Sequence, residues 1–155
     1  METTLLFIKP DGVQRGLVGR IISRFEDKGL QIVGMKMMLL TRALAEKHYS
    51  VHKGKPFYEG LIKYVTSGPI VVMALRGLRA IDVCRKIMGA TFGYQAEHGT
   101  VRGDFGISGS YNLIHGSDAP ESAEKELALY FGANELVDWD PALKGHVYDV
   151  DDELP

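Results

Sequence analysis

The densest run of side chains able to do chemistry is Asn112-Leu-Ile-His115-Gly-Ser117-Asp118-Ala-Pro120-Glu121-Ser-Ala-Glu-Lys-Glu126. A neutral imidazole is a good nucleophile toward phosphorus, and with an ordinary pKa of about 6.5 it is mostly neutral at pH 7. A carboxylate on one ring nitrogen would fix the tautomer and leave the other nitrogen to attack. Asp118, with Glu121 three residues on and Pro120 between, reads as a capping-box variant opening a helix. His115 then stands just before a helix N-terminus, where backbone amides and a partial positive charge suit a phosphate. On that helix Ala123, Leu127 and Tyr130 form the inward face, with Glu126 at its edge and Glu121 and Lys125 outside. Glu126 can thus turn back to meet His115.

Three cations could complete an anion site. Lys9 ends an apolar run at Lys9-Pro10-Asp11-Gly12, and Arg85 falls at the edge of an apolar helical arc. Arg102 stands in Gly99-Thr-Val-Arg102-Gly-Asp104, where glycines let backbone approach a ligand. With Mg²⁺ these charges would balance a nucleoside triphosphate. Each also has an ordinary reading. His115 could be a hydrogen-bonded histidine at a strand end, and Lys9 a solvated lysine. Arg85 could snorkel to water, and Arg102 could belong to a surface turn.

The elements that must position these residues follow from hydrophobic periodicity. Apolar runs predict strands at residues 4–8, 31–40, 70–75 and 111–115. Helical spacing predicts helices over 14–28, 43–49, 58–66, 78–88 and 120–131. Pro10 and Asp11-Gly12 read as a turn. The stretch 90–110 reads as a long loop, and residues 133–155 as an irregular tail with acidic, solvated residues 149–153. This order suits an α+β ferredoxin-like sandwich, a four-stranded antiparallel sheet with helices packed on it. All 155 residues are expected to form one domain.

Composition narrows the function classes. There are 18 Lys+Arg against 20 Asp+Glu, a net charge of −2, which speaks against a dedicated binder of nucleic acid or anionic membrane. No apolar run approaches a membrane span, and Met1-Glu2-Thr3-Thr4 lacks a signal-peptide start. The single Cys84, read as a buried inert thiol, fits a reducing cytosol, so a cytoplasmic location is expected. Walker-A, G-x-G-x-x-G, protein-kinase and G-x-S-x-G patterns are absent, as is zinc-ligand spacing.

At Asn112-Leu-Ile-His115-Gly-Ser117-Asp118 the chain closely resembles the nucleoside diphosphate kinase family. Matching blocks run in family order: the stretch from Phe7 to Gly19, His48-Tyr49, Pro56-Phe57, Ser67-Gly-Pro69, Met88-Gly89, the stretch from Gly99 to Phe105, and that from Glu121 to Glu126. The resemblance implies Mg²⁺-dependent, ping-pong transfer of a γ-phosphate between nucleoside tri- and diphosphates through a phosphohistidine on His115. It implies that Glu126, with Ser117, orients the ring. By the same match Lys9, Tyr49 and Asn112 surround the phosphate and sugar, while Arg85, Thr91 and Arg102 hold phosphates. Phe57 stacks on the base, and Leu61 lies one helical turn beyond. Stacking without base-edge hydrogen bonds explains indifference to the base. The ion is expected on phosphate oxygens, with no protein ligand. A homo-oligomer is implied, hexamer rather than tetramer, with ATP and other nucleotides as partners and no nucleic acid or membrane.

Two positions depart from the commoner family pattern. Gly109 stands where many relatives carry an apolar residue under the base, and Gly93 stands where many carry a loop proline. The parity of Asn112 and His115 also conflicts, because a regular strand would send them to opposite faces. A nucleotide-binding module that kept the fold without activity would have lost His115 or Glu126, and both are present. A hydrolase using His115 as general base would release phosphate instead of transferring it.

Overall fold

Residues 5–8 and 70–75 are apolar throughout because the two strands that contain them are covered on both faces. The computed structural model describes residues 1–153; Leu154 and Pro155, the end of the expected tail, lie outside the described residues. In chain order the main elements are β1 (Glu2–Ile8), α1 (Pro10–Gln14), α2 (Val18–Glu26), β2 (Gln31–Leu39), α3 (Arg42–His48) and α4 (Tyr58–Val65). They continue with β3 (Pro69–Gly77), α5 (Ala80–Met88), α6 (Val101–Phe105), β4 (Ile114–Gly116) and α7 (Pro120–Tyr130). The strands form one sheet in the order β2-β3-β1-β4, every pair antiparallel, the expected ferredoxin-like arrangement.

Alternation along β1 divides the core. Leu6 and Ile8 face α2 and α5, packing with Ile21, Phe25, Cys84 and Met88. Leu5 and Phe7 face α3, α4 and α7, packing with Ala45, Ile62 and Tyr130. His115 pairs across from Phe7, so the candidate nucleophile belongs to this second face. Cys84 is buried, and burial pushes its thiol up to about 12, so it is inert as expected.

Five local expectations are corrected. Lys9-Pro10-Asp11-Gly12 is the start of α1, not a turn, because a proline in the first helical turn has no hydrogen bond to lose. The helix expected over 14–28 begins only at Val18, because Gly16 at φ +67° breaks it from α1. The long loop 90–110 contains α6, capped by Thr100, whose hydroxyl accepts from the Gly103 amide at 3.0 Å. The strand expected at 111–115 is confined to Ile114–Gly116. In α7 the residue before the first turn is Ala119, without a side-chain cap, and Asp118 instead hydrogen-bonds Ser122.

The tail is irregular, as expected, but tied down along the upper half of β2. The Trp139 indole donates to the Ile32 carbonyl at 3.1 Å, and Arg76 pairs with Asp138 at 2.7 Å. The lower half of this edge strand is left open, with Met35, Met37 and Leu39 exposed. Among the described residues no helix is long and apolar enough to cross a membrane.

Candidate active site

A cleft of about 1430 Å³ opens on the β1/β4 side of the second face. Ten of the eleven side chains singled out above line it: Lys9 from the end of β1, Tyr49 beyond α3, Phe57 and Leu61 around the start of α4, Arg85 from α5, and Thr91 after it. Arg102 from α6, Asn112 and His115 around β4, and Glu126 from α7 complete the set. Ser117 alone stands outside the lining, buried behind Glu126.

Glu126 does turn back as its helix position predicts. Its Oε2 lies 2.9 Å from His115 Nε2 and accepts the Ser117 hydroxyl at 2.6 Å. Burial raises the Glu126 pKa, while the Ser117 hydrogen bond opposes that rise. The His115 pKa is driven well below its ordinary value by burial, with Lys9, Arg102 and Arg85 adding to the effect. The ring is therefore neutral. With Nε2–H donating to a carboxylate, Nδ1 carries the free lone pair.

The ring plane is held as well. Phe7 stacks on the imidazole at 4.9 Å between centroids, and His48 meets it edge-on at 4.4 Å. Burial, with His115 next, pushes the His48 pKa down to about 3, so His48 faces His115 as a neutral ring. His48 was visible in the sequence only as the neighbour of Tyr49, with no signal of its own.

The cations do not share one environment, and two ordinary readings fail. Lys9 is buried, not solvated, and its ammonium donates to Asn112 Oδ1 at 2.7 Å. Burial pushes its pKa down to about 7, helped by Arg102 and opposed by Asp11. Arg102 is only 4% exposed and belongs to no surface turn. It donates to three backbone carbonyls: Asn112 at 3.1 Å, Gly89 at 3.1 Å and Ile114 at 2.7 Å. Arg85 is exposed and reaches into the cleft, with Nη1 3.5 Å from the Gly116 carbonyl. Phe57, 52% exposed, presents an open ring at the mouth with Leu61 beside it.

The parity conflict between Asn112 and His115 has a local cause. Leu113 takes φ +72°, and the Ile114 amide donates to the Asn112 carbonyl at 2.8 Å. This closes a three-residue γ-turn centred on Leu113, of the rare positive-φ kind. The turn resets the alternation just before β4, so both side chains face one cleft. A bulky apolar residue gives no sequence signal for such a conformation. Asn112 is anchored further, its Nδ2 donating to the Thr91 carbonyl at 3.0 Å.

The two departures differ in consequence. Gly93 is buried, donates its amide to Ser108 at 3.2 Å, and a Cβ there would fall 2.5 Å from the Gly106 carbonyl carbon. The loop thus closes backbone to backbone, which only glycine allows without a shift. Gly109 lines the cleft, with room for a Cβ at ordinary contact with Phe92.

Known proteins share the sequence and fold of this chain. The family model described as nucleoside diphosphate kinase matches residues 2–136. A nucleoside diphosphate kinase of Heliobacterium modesticaldum is 57% identical over 145 residues, covering 94% of this chain and 97% of that protein. One of Thermosynechococcus vestitus is 55% identical over 150 residues, covering 97% and 100%. Among solved structures, a halophilic nucleoside diphosphate kinase of Halobacterium salinarum in complex with CDP superposes with a TM-score of 0.94. It is 47% identical and covers 96% of this chain and 99% of its own.

Proposed function

The chain belongs to the nucleoside diphosphate kinase family of phosphotransferases, and we propose that it works by ping-pong transfer through His115. In the first half-reaction Nδ1 attacks the γ-phosphorus of a nucleoside triphosphate. An N–P bond forms, the bond to the bridging oxygen breaks, and a nucleoside diphosphate leaves. In the second half-reaction an oxygen of another diphosphate attacks the phosphohistidine, and the N–P bond breaks. The observation that carries this reading is the Glu126–His115 pair at 2.9 Å, which commits Nε2 as donor and leaves Nδ1 as nucleophile.

The remaining roles follow from charge and shape. Lys9, Arg85 and Arg102 hold phosphates, Thr91 adds a hydroxyl beside them, and Tyr49 and Asn112 close around the phosphate and sugar. The Phe57 face takes the base, with Leu61 beneath, and needs no base-edge contact. That the similar halophilic protein was solved with CDP supports a nucleoside diphosphate as acceptor. One chain of 155 residues is read as one catalytic domain.

The cleft fits Mg²⁺ carried by the nucleotide, not by the protein. Its one group of three metal-capable side chains among the described residues, His48, His115 and Glu126, offers two imidazoles, whereas Mg²⁺ prefers oxygen. Bound to phosphate oxygens, the ion supplies the neutralisation that three protein cations leave incomplete. A homo-oligomer is supported by the open edge of β2 with Met35, Met37 and Leu39 exposed. A hexamer is favoured over a tetramer because the tail beyond Trp139 resembles that of hexameric members of the family, and the buried lone thiol favours the cytoplasm.

The direct test is incubation with Mg-ATP labelled at the γ-phosphate, followed by quenching. An acid-labile, base-stable phosphoprotein that discharges onto a different nucleoside diphosphate is expected. Steady release of free phosphate would identify a hydrolase instead, and well-folded protein without label would identify a binding module.

Lys9 gives an independent prediction. At pH 8 its ammonium, with a pKa of about 7, is mostly deprotonated in the free protein. A polyphosphate in the cleft stabilises the charged form, so binding should take up close to one proton at pH 8 and weaken as pH rises. Calorimetry in two buffers of different ionisation enthalpy measures the uptake. Lys9→Met should remove it, and zero uptake in the wild type would take Lys9 out of the phosphate field. The same shift makes folding stability rise with pH between about 7 and the unfolded value of 10.5, since only the unfolded chain keeps that proton there.

A further inference from the structure

Leu113 holds a conformation that its side chain disfavours, so something must over-determine it. Part of the answer is backbone: the Lys9 amide donates to the Leu113 carbonyl at 2.8 Å. Part is Arg102, which takes the carbonyls on either side, those of Asn112 and Ile114. The Leu113 amide is met by a side chain from another element. Asp11, in the first turn of α1, accepts it on Oδ2 at 3.1 Å. The other oxygen, Oδ1, accepts the Tyr64 hydroxyl from α4 in a short hydrogen bond.

Asp11 is thus fixed from both sides, and it joins α1, α4 and the turn before β4. Gly12 makes the approach possible, since a Cβ there would lie 3.3 Å from the Leu113 carbonyl and 2.7 Å from Ile8 Cγ2. Nothing in the phosphoryl-transfer scheme above uses Asp11 or Tyr64.

We propose that Asp11 and Tyr64 are positioning residues: the carboxylate, oriented by the phenol, holds the Leu113 turn and so keeps Asn112 and His115 aimed into one cleft. The proposal rests on His115 being the phosphoacceptor. Without an acceptor for its amide the turn can relax toward a regular strand. That relaxation would restore the alternation that sends Asn112 and His115 apart. A misplacement of about 1 Å at the reacting atoms can cost about 100-fold in rate.

Tyr64 also lines the cleft, its ring 5.7 Å from the Lys9 ammonium, so direct substrate contact is the competing role. Asp11 could equally act only as a counter-charge for Lys9, whose pKa it raises. A double-mutant cycle separates all three. The readout is the rate constant for labelling His115 at saturating Mg-ATP, in variants whose thermal midpoints are recorded.

Asp11→Ala should lower this rate constant about 10- to 100-fold. Asp11→Asn should recover most of the loss, because its amide oxygen can accept the Leu113 amide while its NH₂ donates to the Tyr64 oxygen. A pure counter-charge role predicts the opposite, with Asn as damaging as Ala. Tyr64→Phe should be slower than wild type, and combined with Asp11→Ala it should add less than about a further twofold. Independent, multiplicative effects would overturn the clamp and favour direct substrate contact by Tyr64. If Asp11→Ala fails to fold, Tyr64→Phe against Asp11→Asn still decides: a Tyr64→Phe rate equal to wild type overturns the proposal. A labelled wild type with an undiminished Asp11→Ala overturns the clamp alone. A wild type that takes no label overturns the phosphohistidine reading and the clamp with it.

Discussion

His115→Ala should reduce phosphoryl transfer by on the order of 10⁴-fold or more and abolish the phosphoprotein, while nucleotide still binds. Losses of that size attend removal of a covalent nucleophile, because the reaction is forced onto a different and slower path. Binding should survive because its determinants are separate. Phe57 and Leu61 stand at the cleft mouth, and Lys9, Arg85 and Arg102 come from three other elements. The fold should survive too. The imidazole is partly open to the cleft, and its loss leaves Glu126 still accepting the Ser117 hydroxyl at 2.6 Å. Transfer from ATP to a second diphosphate, measured with nucleotide affinity on the same preparation, checks both halves. Residual turnover within about 100-fold of wild type would exclude His115 as the covalent carrier.

The imidazole's environment is partly legible in the sequence. Helix periodicity put Glu126 at the edge of the inward face, and the 2.9 Å contact with His115 follows from that. The central strands were legible for a similar reason, since burial on both faces writes an unbroken apolar run. Leu113 was not legible. Positive φ is normally announced by glycine or asparagine, whereas here a leucine is held in it by Asp11, Lys9 and Arg102 from distant parts of the chain.

For Arg102 the sequence leaves a surface turn open beside the anion-site reading, for a related reason. Five-residue α6 is too short for a periodic pattern, and its flanking glycines look like a surface loop. Tyr49, Phe57, Leu61 and Thr91 carry no local signal at all; only the family resemblance drew attention to them. Local pattern thus finds the elements and the side chains they aim. It does not find conformations imposed by tertiary hydrogen bonds.

Arg102 supplies the second large effect, because one side chain does two jobs there. As a cation it faces the phosphates; as a donor it bridges the carbonyls of Gly89, Asn112 and Ile114. Hydrogen bonds involving a charged group are worth about 1.5–3 kcal/mol each. The sum would overstate the loss in Arg102→Ala, however. Burial, with Arg85 next, pushes the Arg102 pKa down to about 10, so keeping the charge there carries its own penalty. Water from the cleft can also reach some of the freed carbonyls. The net destabilisation should therefore be modest, about 1–3 kcal/mol, readable as a lowered thermal midpoint.

Activity should fall much further in Arg102→Ala, about 100- to 1000-fold in kcat/KM, as when a transition-state donor is removed from an enclosed site. Arg102→Lys distinguishes the two jobs. An ammonium keeps the charge but cannot reproduce a planar fork spread over three carbonyls. If Arg102 served only as a phosphate counter-charge, lysine would restore most of the activity. The bridging geometry predicts that it will not, and that the thermal midpoint will stay below wild type. A lysine variant matching wild type in both measurements would reduce Arg102 to a simple cation.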